Sequence, residues 1–406
     1  MSYKVIDGSV TSAKGFLAAG IHCGVKDGSS KKDLALIYSE VPCIGAGMYT
    51  NNVVKCAPIY VTKDHLIDNK AQAIICNSGN ANCCTGEDGI NKAKLITEVL
   101  AKNLNIDSKD VLIASTGVIG VPINADAITS GIPLITSKLS TNGSDAAEAI
   151  MTTDTVKKEC AVEVEISGKI VTIGAIAKGS GMIEPNMGTM LSFISTDIDI
   201  TASLLKEALK EAVNISYNRI SVDGDTSTND TVLILANGLA KNVTITEKNE
   251  DYNKFLEALK YVTITISKML AKDGEGATKL IQCTVNGCKD EKEGVTFAKS
   301  VITSSLVKTA MFGADANWGR ILCALGYAGL EFDPSKVDVY FESEAGSIIV
   351  CKDGASVPFD EDIAKKILLL DEITIKIEMN SGNTSVTAWG CDLTYEYVKI
   401  NGDYRS

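Results

Sequence analysis

The sequence predicts a mixed α/β protein, and three observations carry that prediction. Runs with apolar residues on one helical face alternate along the chain with short strand-like runs bounded by Gly, Asn and Asp. At 406 residues the chain is too long for one small core, so two lobes or one large α/β unit are expected. With 45% hydrophobic and 22% charged residues, the composition is that of an ordinary globular protein.

Taken in order, Leu34 to Ser39, Gly45 to Tyr49 and Ala73 to Cys76 read as short strands between turn-rich connections. From Asn91 to Leu104, the residues Leu95, Ile96, Val99, Leu100 and Leu104 share one helical face. Val111 to Ala114 reads as a buried strand running into a turn at Ser115-Thr116-Gly117. Ser144 is placed to cap a helix through Ile150, with Asp145 favoured in its first turn by the helix dipole. Ala161 to Ile166 and Lys169 to Gly174 alternate apolar and polar around Ser167-Gly168, which signals a two-residue hairpin. A helix over Leu204 to Val213 starts from Thr201, and Thr231 to Ala236 reads as a strand. Phe255, Leu259, Val262 and Ile266 mark another helix, although its Val-Thr-Ile-Thr-Ile centre also suits a strand. The last third returns to strands at Val337 to Phe341, Ser347 to Cys351, Ile373 to Glu378 and Thr384 to Trp389, with helices near Ala298 to Ala310 and Phe359 to Leu369.

Several function classes are disfavoured. The formal net charge is -12, with no basic stripe interleaved with aromatics, which argues against a nucleic-acid partner. No apolar run approaches the roughly 20 residues of a membrane span. The stretch Gly15 to Gly24 is short, broken by glycines and without a basic flank, so cytoplasmic residence is the expectation. Twelve cysteines are scattered without CxxC pairs, as expected for reduced core thiols rather than a metal site. His22 and His65 are the only histidines, too few for a histidine-rich metal site and little material for a Ser-His-Asp triad.

One stretch offers another base. Lys178 to Asp197, KGSGMIEPNMGTMLSFISTD, bends through Gly179, Gly181, Pro185 and Asn186 and then enters an apolar run. A hydroxyl directly after a glycine at such a bend can attack the preceding carbonyl, cut the chain and become a new N-terminal residue. Thr189 is the candidate. An N-terminal threonine is a complete small catalyst, with its hydroxyl as nucleophile and its freed α-amine as base. That amine has an unperturbed pKa of roughly 7.7 to 8.0, so part of it is neutral near pH 7. The bland alternative is a turn before a strand, with Thr189 bonding locally.

KGSGMIEPNMGTML resembles the cleavage-site signature of the ornithine acetyltransferase (ArgJ) family. The likeness extends through NSGNAN (Asn77 to Asn82), ASTGVIG (Ala114 to Gly120), IMTTDT (Ile150 to Thr155), SVDGDTSTNDT (Ser221 to Thr231), DGEGATKL (Asp273 to Leu280), ADANWGRI (Ala314 to Ile321) and the terminal DLTYEYVKINGDYRS. The resemblance implies an α/β fold of the ArgJ/DmpA kind, an α-β-β-α sandwich, self-cleaved into residues 1–188 and 189–406. It implies cleavage between Gly188 and Thr189, with Thr189 then serving as nucleophile. Gly188 stands where the family more often has alanine; glycine permits a tighter turn, so cleavage is expected to survive.

The same resemblance assigns the other site residues. Thr116 and Gly117 would stabilise the tetrahedral oxyanion through a hydroxyl and a backbone N–H. Thr152, Lys178, Glu275, Asn401 and Ser406 would bind the amino-acid substrate, with Lys178 suited to its carboxylate and Glu275 to its amine. Ser406 replaces the more usual threonine and keeps the hydroxyl. Asn401 and Ser406 can act only if the tail docks, for which Tyr395, Tyr397 and Tyr404 are candidate anchors. Lacking EF-hand spacing and a GK[ST] motif, SVDGDTSTNDT reads as a turn network near the site. Asn317-Trp318-Gly319-Arg320 fits either a pocket wall or a subunit contact.

The activity implied is ping-pong transfer of acetyl from N2-acetyl-ornithine to glutamate in arginine biosynthesis, by an α2β2 enzyme needing no metal or prosthetic group. Some members also take acetyl-CoA as donor, and the motifs do not separate them. Two other readings stand beside it: an N-terminal-nucleophile aminopeptidase or amidase that sends the acyl group to water, and a non-catalytic amino-acid-binding protein.

Overall fold

The computed structural model describes residues 2–26, 28–184 and 190–402. The chain forms two compact units. Among the described residues, the first runs up to Asn218 and adds Asp225–Ile266; the second comprises Arg219–Gly224 and residues 267–402.

In chain order the elements are β1 (Tyr3–Ile6), β2 (Phe16–Ile21), β3 (Leu34–Tyr49), α1 (Ala57–His65), β4 (Lys70–Asn80), α2 (Gly86–Leu104), β5 (Val111–Val118), α3 (Ala125–Ser137), α4 (Ser144–Ala149), β6 (Lys158–Ile166), β7 (Lys169–Lys178), β8 (Leu191–Thr196), α5 (Ala202–Ile215), β9 (Ile220–Ser221), β10 (Thr231–Ala236) and α6 (Glu250–Lys272). They continue with β11 (Leu280–Cys288), α7 (Glu291–Thr303), α8 (Ser305–Phe312), α9 (Trp318–Gly326), β12 (Asp338–Ser343), β13 (Gly346–Lys352), β14 (Ala355–Ser356), α10 (Glu361–Leu368), β15 (Glu372–Glu378), β16 (Thr384–Cys391) and α11 (Tyr395–Asn401).

Among the described residues, the first unit holds a nine-stranded mixed sheet in the order β1-β6-β7-β8-β10-β3-β4-β5, with β2 on β3. Its layering follows from strand alternation. Leu34, Leu36, Ile75 and Ile113 face α2 and α3, where Ile96, Leu100, Ile128 and Ile132 complete a core. The alternate residues Ala35, Ile37, Ile74, Leu112 and Ala114 face the other way and pack with Ile176, Leu191, Phe193, Leu233 and Leu235 of β7, β8 and β10. The sheet therefore turns on itself around an inner core. The turn lies in β3, which pairs with β2 and β4 through its first half and with β10 through its second, with a register break between Tyr38 and Cys43. On the far side of β8, Ser192 bonds Tyr217 just beyond α5, and α5 buries Leu204, Leu205, Ala208, Leu209, Ala212 and Val213. Helix, strand, strand and helix layers thus stack in this unit, which is the α/β class expected.

Among the described residues, the second unit holds a seven-stranded sheet, β14-β13-β12-β15-β11-β16-β9. Ile281, Cys283, Val339, Phe341, Ile375 and Ile377 pack under Phe297, Val301, Met311, Ile321 and Ile367 of α7 to α10.

Most expected elements are present, often longer than foreseen. The β6–β7 hairpin turns at Ser167 and Gly168, both at positive φ, as a two-residue primed turn requires. Phe255 to Ile266 is helical, which removes the strand alternative. Four readings need correction. The two strands read at Leu34 to Ser39 and Gly45 to Tyr49 are one strand, because the register break absorbs Pro42. Ser115 to Gly117 lies inside β5 rather than in a turn beyond it, because β4 continues to pair alongside, Ser78 with Thr116 and Gly79 with Gly117. The helix expected at Ala298 to Ala310 is two, α7 and α8, separated at Ser304, whose side chain caps the Val307 N–H. Gly143, not Ser144, is the N-cap of α4; the Ser144 hydroxyl donates to Glu159 instead. Asn317, left open above, caps α9, and Arg320 Nη1 donates to the Leu306 carbonyl.

Among the described residues, no helix is long and apolar enough to cross a membrane. The twelve cysteines are free thiols, buried except for Cys23, Cys84 and Cys323.

Candidate functional site

Gly188, Thr189 and Ser406 lie outside the described residues, as does Tyr404. The remaining candidates fall into two groups, one in each unit.

In the first unit, Lys178 ends β7 on the same face as Ile176, and Thr116 lies near the end of β5 on the same face as Ala114. Both side chains therefore emerge at one end of the inner core, from opposite leaves. Lys178 is only 4% exposed, not the solvated lysine that its residue type usually gives. Its Nζ donates to Thr116 Oγ1 at 3.3 Å. An ammonium can only donate, so the Thr116 oxygen accepts here and its own hydrogen is left to point at another acceptor. That is the arrangement an oxyanion donor requires. Gly117 follows at φ +131, and a Cβ there would stand 2.3 Å from the Gly79 carbonyl carbon, so only glycine fits against β4.

Thr152 reaches the same neighbourhood through Asp154. The Asp154 Oδ1 accepts from Lys158 Nζ and from the Gly179 N–H, both at 2.6 Å, while Oδ2 accepts the Thr152 N–H at 3.0 Å. Burial pushes this carboxyl up, but the Lys158 and Lys178 ammoniums and these hydrogen bonds outweigh it and hold the group below its ordinary range. One buried carboxylate thus ties the TTDT segment to the backbone just after Lys178. Thr152 lines a cleft of about 410 Å³ with Lys26, Gly79, Asn80 and Val118, a volume that suits a small polar ligand. Lys26 donates to the Met151 carbonyl at 2.8 Å, and burial lowers its pKa.

The SVDGDTSTNDT segment supplies the pins expected of it. Asn229 Nδ2 donates to the Ala81 and Ser115 carbonyls, both at 2.7 Å, and Ser115 Oγ donates to Asn77 Oδ1 at 2.6 Å. NSGNAN and the Ser115 to Gly117 segment are thereby locked to each other.

In the second unit, Glu275 is 8% exposed, and its Oε2 accepts from Asn401 Nδ2 at 2.7 Å. The tail docks up to this point: Thr394 caps α11 and also donates to the Gly276 carbonyl at 2.6 Å, and Tyr397 OH donates to Asp223 Oδ2 at 3.2 Å. Tyr395 packs edge-on against Phe312 with ring centroids 6.0 Å apart.

The structure therefore joins Lys178 with Thr116, Thr152 with the backbone beside Lys178, and Glu275 with Asn401. Sequence reasoning did not single out Lys26 or Asp154, and it read Asn229 only as part of the SVDGDTSTNDT turn network. The carboxylate of TTDT was the available signal for Asp154; Lys26 carried none.

A sequence model of the ArgJ family matches residues 17–406. The chain belongs to the ArgJ family. Among its similar relatives are the arginine biosynthesis bifunctional protein ArgJ 1 of Clostridium acetobutylicum, 55% identical over 399 residues, covering 98% of each chain, and the corresponding protein of Caldanaerobacter subterraneus, 50% identical over 404 residues, covering 99% of this chain and all of that one. A crystal structure of the arginine biosynthesis bifunctional protein ArgJ from Bacillus halodurans is 45% identical, with a TM-score of 0.51, over 53% of this chain and 99% of the solved one. The ArgJ resemblance read from the motifs is thus borne out across nearly the whole chain.

Proposed function

We propose that this chain cuts itself between Gly188 and Thr189 and, as a glutamate N-acetyltransferase, moves acetyl from N2-acetyl-L-ornithine to L-glutamate. At the coarser level that its family carries, the chain is an acyltransferase of arginine biosynthesis acting on small molecules. The observation that carries the finer reading is the buried Lys178 ammonium on the Thr116 hydroxyl, which leaves that hydroxyl free to donate at the end of the inner core.

In the proposed reaction, the Thr189 hydroxyl attacks the acetyl carbonyl of acetyl-ornithine. An O–C bond forms, the C–N bond breaks, and the hydroxyl proton passes by way of the Thr189 α-amine to the departing ornithine amine. Glutamate then attacks the acetyl-threonine ester through its neutral amine, and the proton returns to the threonine oxygen. Thr116 and the Gly117 N–H stabilise the oxyanion in both halves. The family motifs assign Lys178, Thr152, Glu275, Asn401 and Ser406 to the amino-acid portion. Nucleophile, base and oxyanion donors all come from the chain, so the proposal requires no metal or prosthetic group.

The share of the Bacillus halodurans match supports the cut. A solved chain covered almost completely by 53% of this sequence is what the segment from Thr189 to Ser406, slightly more than half the chain, would account for. We further propose an α2β2 assembly.

Intact mass of purified wild type and Thr189→Ala tests the cut, with two fragments meeting at Gly188/Thr189 expected in the first and one chain in the second. Labelled acetyl from acetyl-ornithine should appear on glutamate. Release to water instead would favour an amidase, and an uncut chain inert toward acetyl-ornithine would overturn the proposal. Replacing acetyl-ornithine with acetyl-CoA tests for a second donor.

A further inference from the structure

Asp230 has no part in the chemistry above, yet its carboxyl lies against the first described residue after the proposed cut. It precedes β10, is 2% exposed, and accepts the Met190 N–H on Oδ1 at 2.7 Å. The Met190 carbonyl in turn accepts the Thr231 N–H at 3.1 Å, so Met190 is held at both its backbone groups. The second oxygen, Oδ2, is buried with no hydrogen-bond partner among the described residues. The nearby Thr50 hydroxyl donates to the Ser227 carbonyl at 2.8 Å instead.

A buried acceptor without a donor is costly, and native structures rarely keep one without a reason. The α-nitrogen of the residue preceding Met190 lies three covalent bonds from the Met190 nitrogen, hence within about 4 Å of it by bond lengths alone. Before a cut that nitrogen is an amide with one hydrogen. After a cut it is a primary amine with several.

We infer that Asp230 is a positioning residue of the nucleophile: Oδ1 fixes Met190, and Oδ2 is kept for the α-amine that cleavage at Gly188–Thr189 frees. The inference rests on the self-cleavage reading. It gives the amine, which must be neutral to act as base, a neighbour that governs its protonation. Carboxyl and amine titrate as a pair, and the last proton leaves the amine beside a carboxylate, which raises the pH at which the amine becomes neutral. Burial pushes the Asp230 carboxyl well above its ordinary range, partly offset by the Met190 hydrogen bond, the neighbouring Thr50 hydroxyl and the Lys178 ammonium; the Cys56 thiol also senses it.

The test is the pH profile of acetyl transfer by wild type, Asp230→Asn and Asp230→Glu, each first checked for cleavage by intact mass. The acid limb of the Asn variant should move to lower pH by about one unit or more, and Glu should return it part of the way. A limb that stays in place while the rate falls would make Asp230 merely structural and overturn the inference. If the Asn variant stays uncut, the Glu variant decides: its longer arm should displace the limb from the wild-type position, and an unmoved limb again overturns the inference. Wild type that never cuts would instead sink the self-cleavage reading on which this one stands.

Discussion

Removing the Asp154 carboxylate should destabilise the first unit and loosen the Thr152 segment, proposed to hold substrate, together. Its side chain and that of Lys158 are both fully buried, 2.6 Å apart. Asp154→Ala strands the Lys158 ammonium in the interior, and breaking one side of such a pair costs about 3–5 kcal/mol. This is a large part of the roughly 5–15 kcal/mol that separates folded from unfolded states in typical domains. The Gly179 and Thr152 N–H groups also lose their acceptor, at about 1–3 kcal/mol each where no water replaces it. Asp154→Ala with Lys158→Met removes the stranded charge, so the double variant should recover most of the pair's loss and retain only the cost of the two amides. The pH dependence has a defined sign. Because the folded carboxyl lies below its ordinary range, its contribution is fully present above the unfolded pKa of about 3.9 and is lost as the pH falls through the lower folded value. Urea unfolding followed by circular dichroism at pH 7 and near pH 3 reads both effects, and the Michaelis constant reads the freed Thr152 segment. A single variant within about 1 kcal/mol of wild type, or a double variant less stable than the single, would refute the reasoning.

Two other outcomes follow from the geometry. Thr116→Val keeps the shape and removes the hydroxyl, and should lower kcat by roughly 10²–10³-fold with little change in the Michaelis constant, as steady-state kinetics would show. After the proposed cut the two pieces should stay together, because β7 before Gly188 pairs with β8 after it across six residues and β3 pairs with β10 across another six. One native species by size exclusion and two bands after denaturation are expected, and pieces that separate without denaturant would contradict it.

Legibility depended on whether a signal was local. The Ser167-Gly168 hairpin, β10 and the amphipathic faces of α2 and α5 were readable because neighbouring residues encode them. Helix α3 was not foreseen: it contains Pro133 and Gly131, which read as breakers, yet it is fixed by Ile128, Ile132 and Ile135 in the core. Strand β3 was read as two because Pro42 and the register break interrupt its pattern. The family resemblance supplied Lys178, Thr116, Glu275 and Asn401, whereas the groups that hold them in place bond across long sequence separations. Asn229 to Ser115 and Asp230 to Met190 are pairings that no local pattern announces.

The turned sheet also acts as a ruler. Lys178 and Thr116 stand on opposite leaves, and leaves packed face to face lie about 10 Å apart. The lysine chain closes that gap to hydrogen-bonding distance beside the packed Ile176, Leu191, Phe193 and Leu112. The Lys178–Thr116 contact is thus written in the thickness of an oily layer.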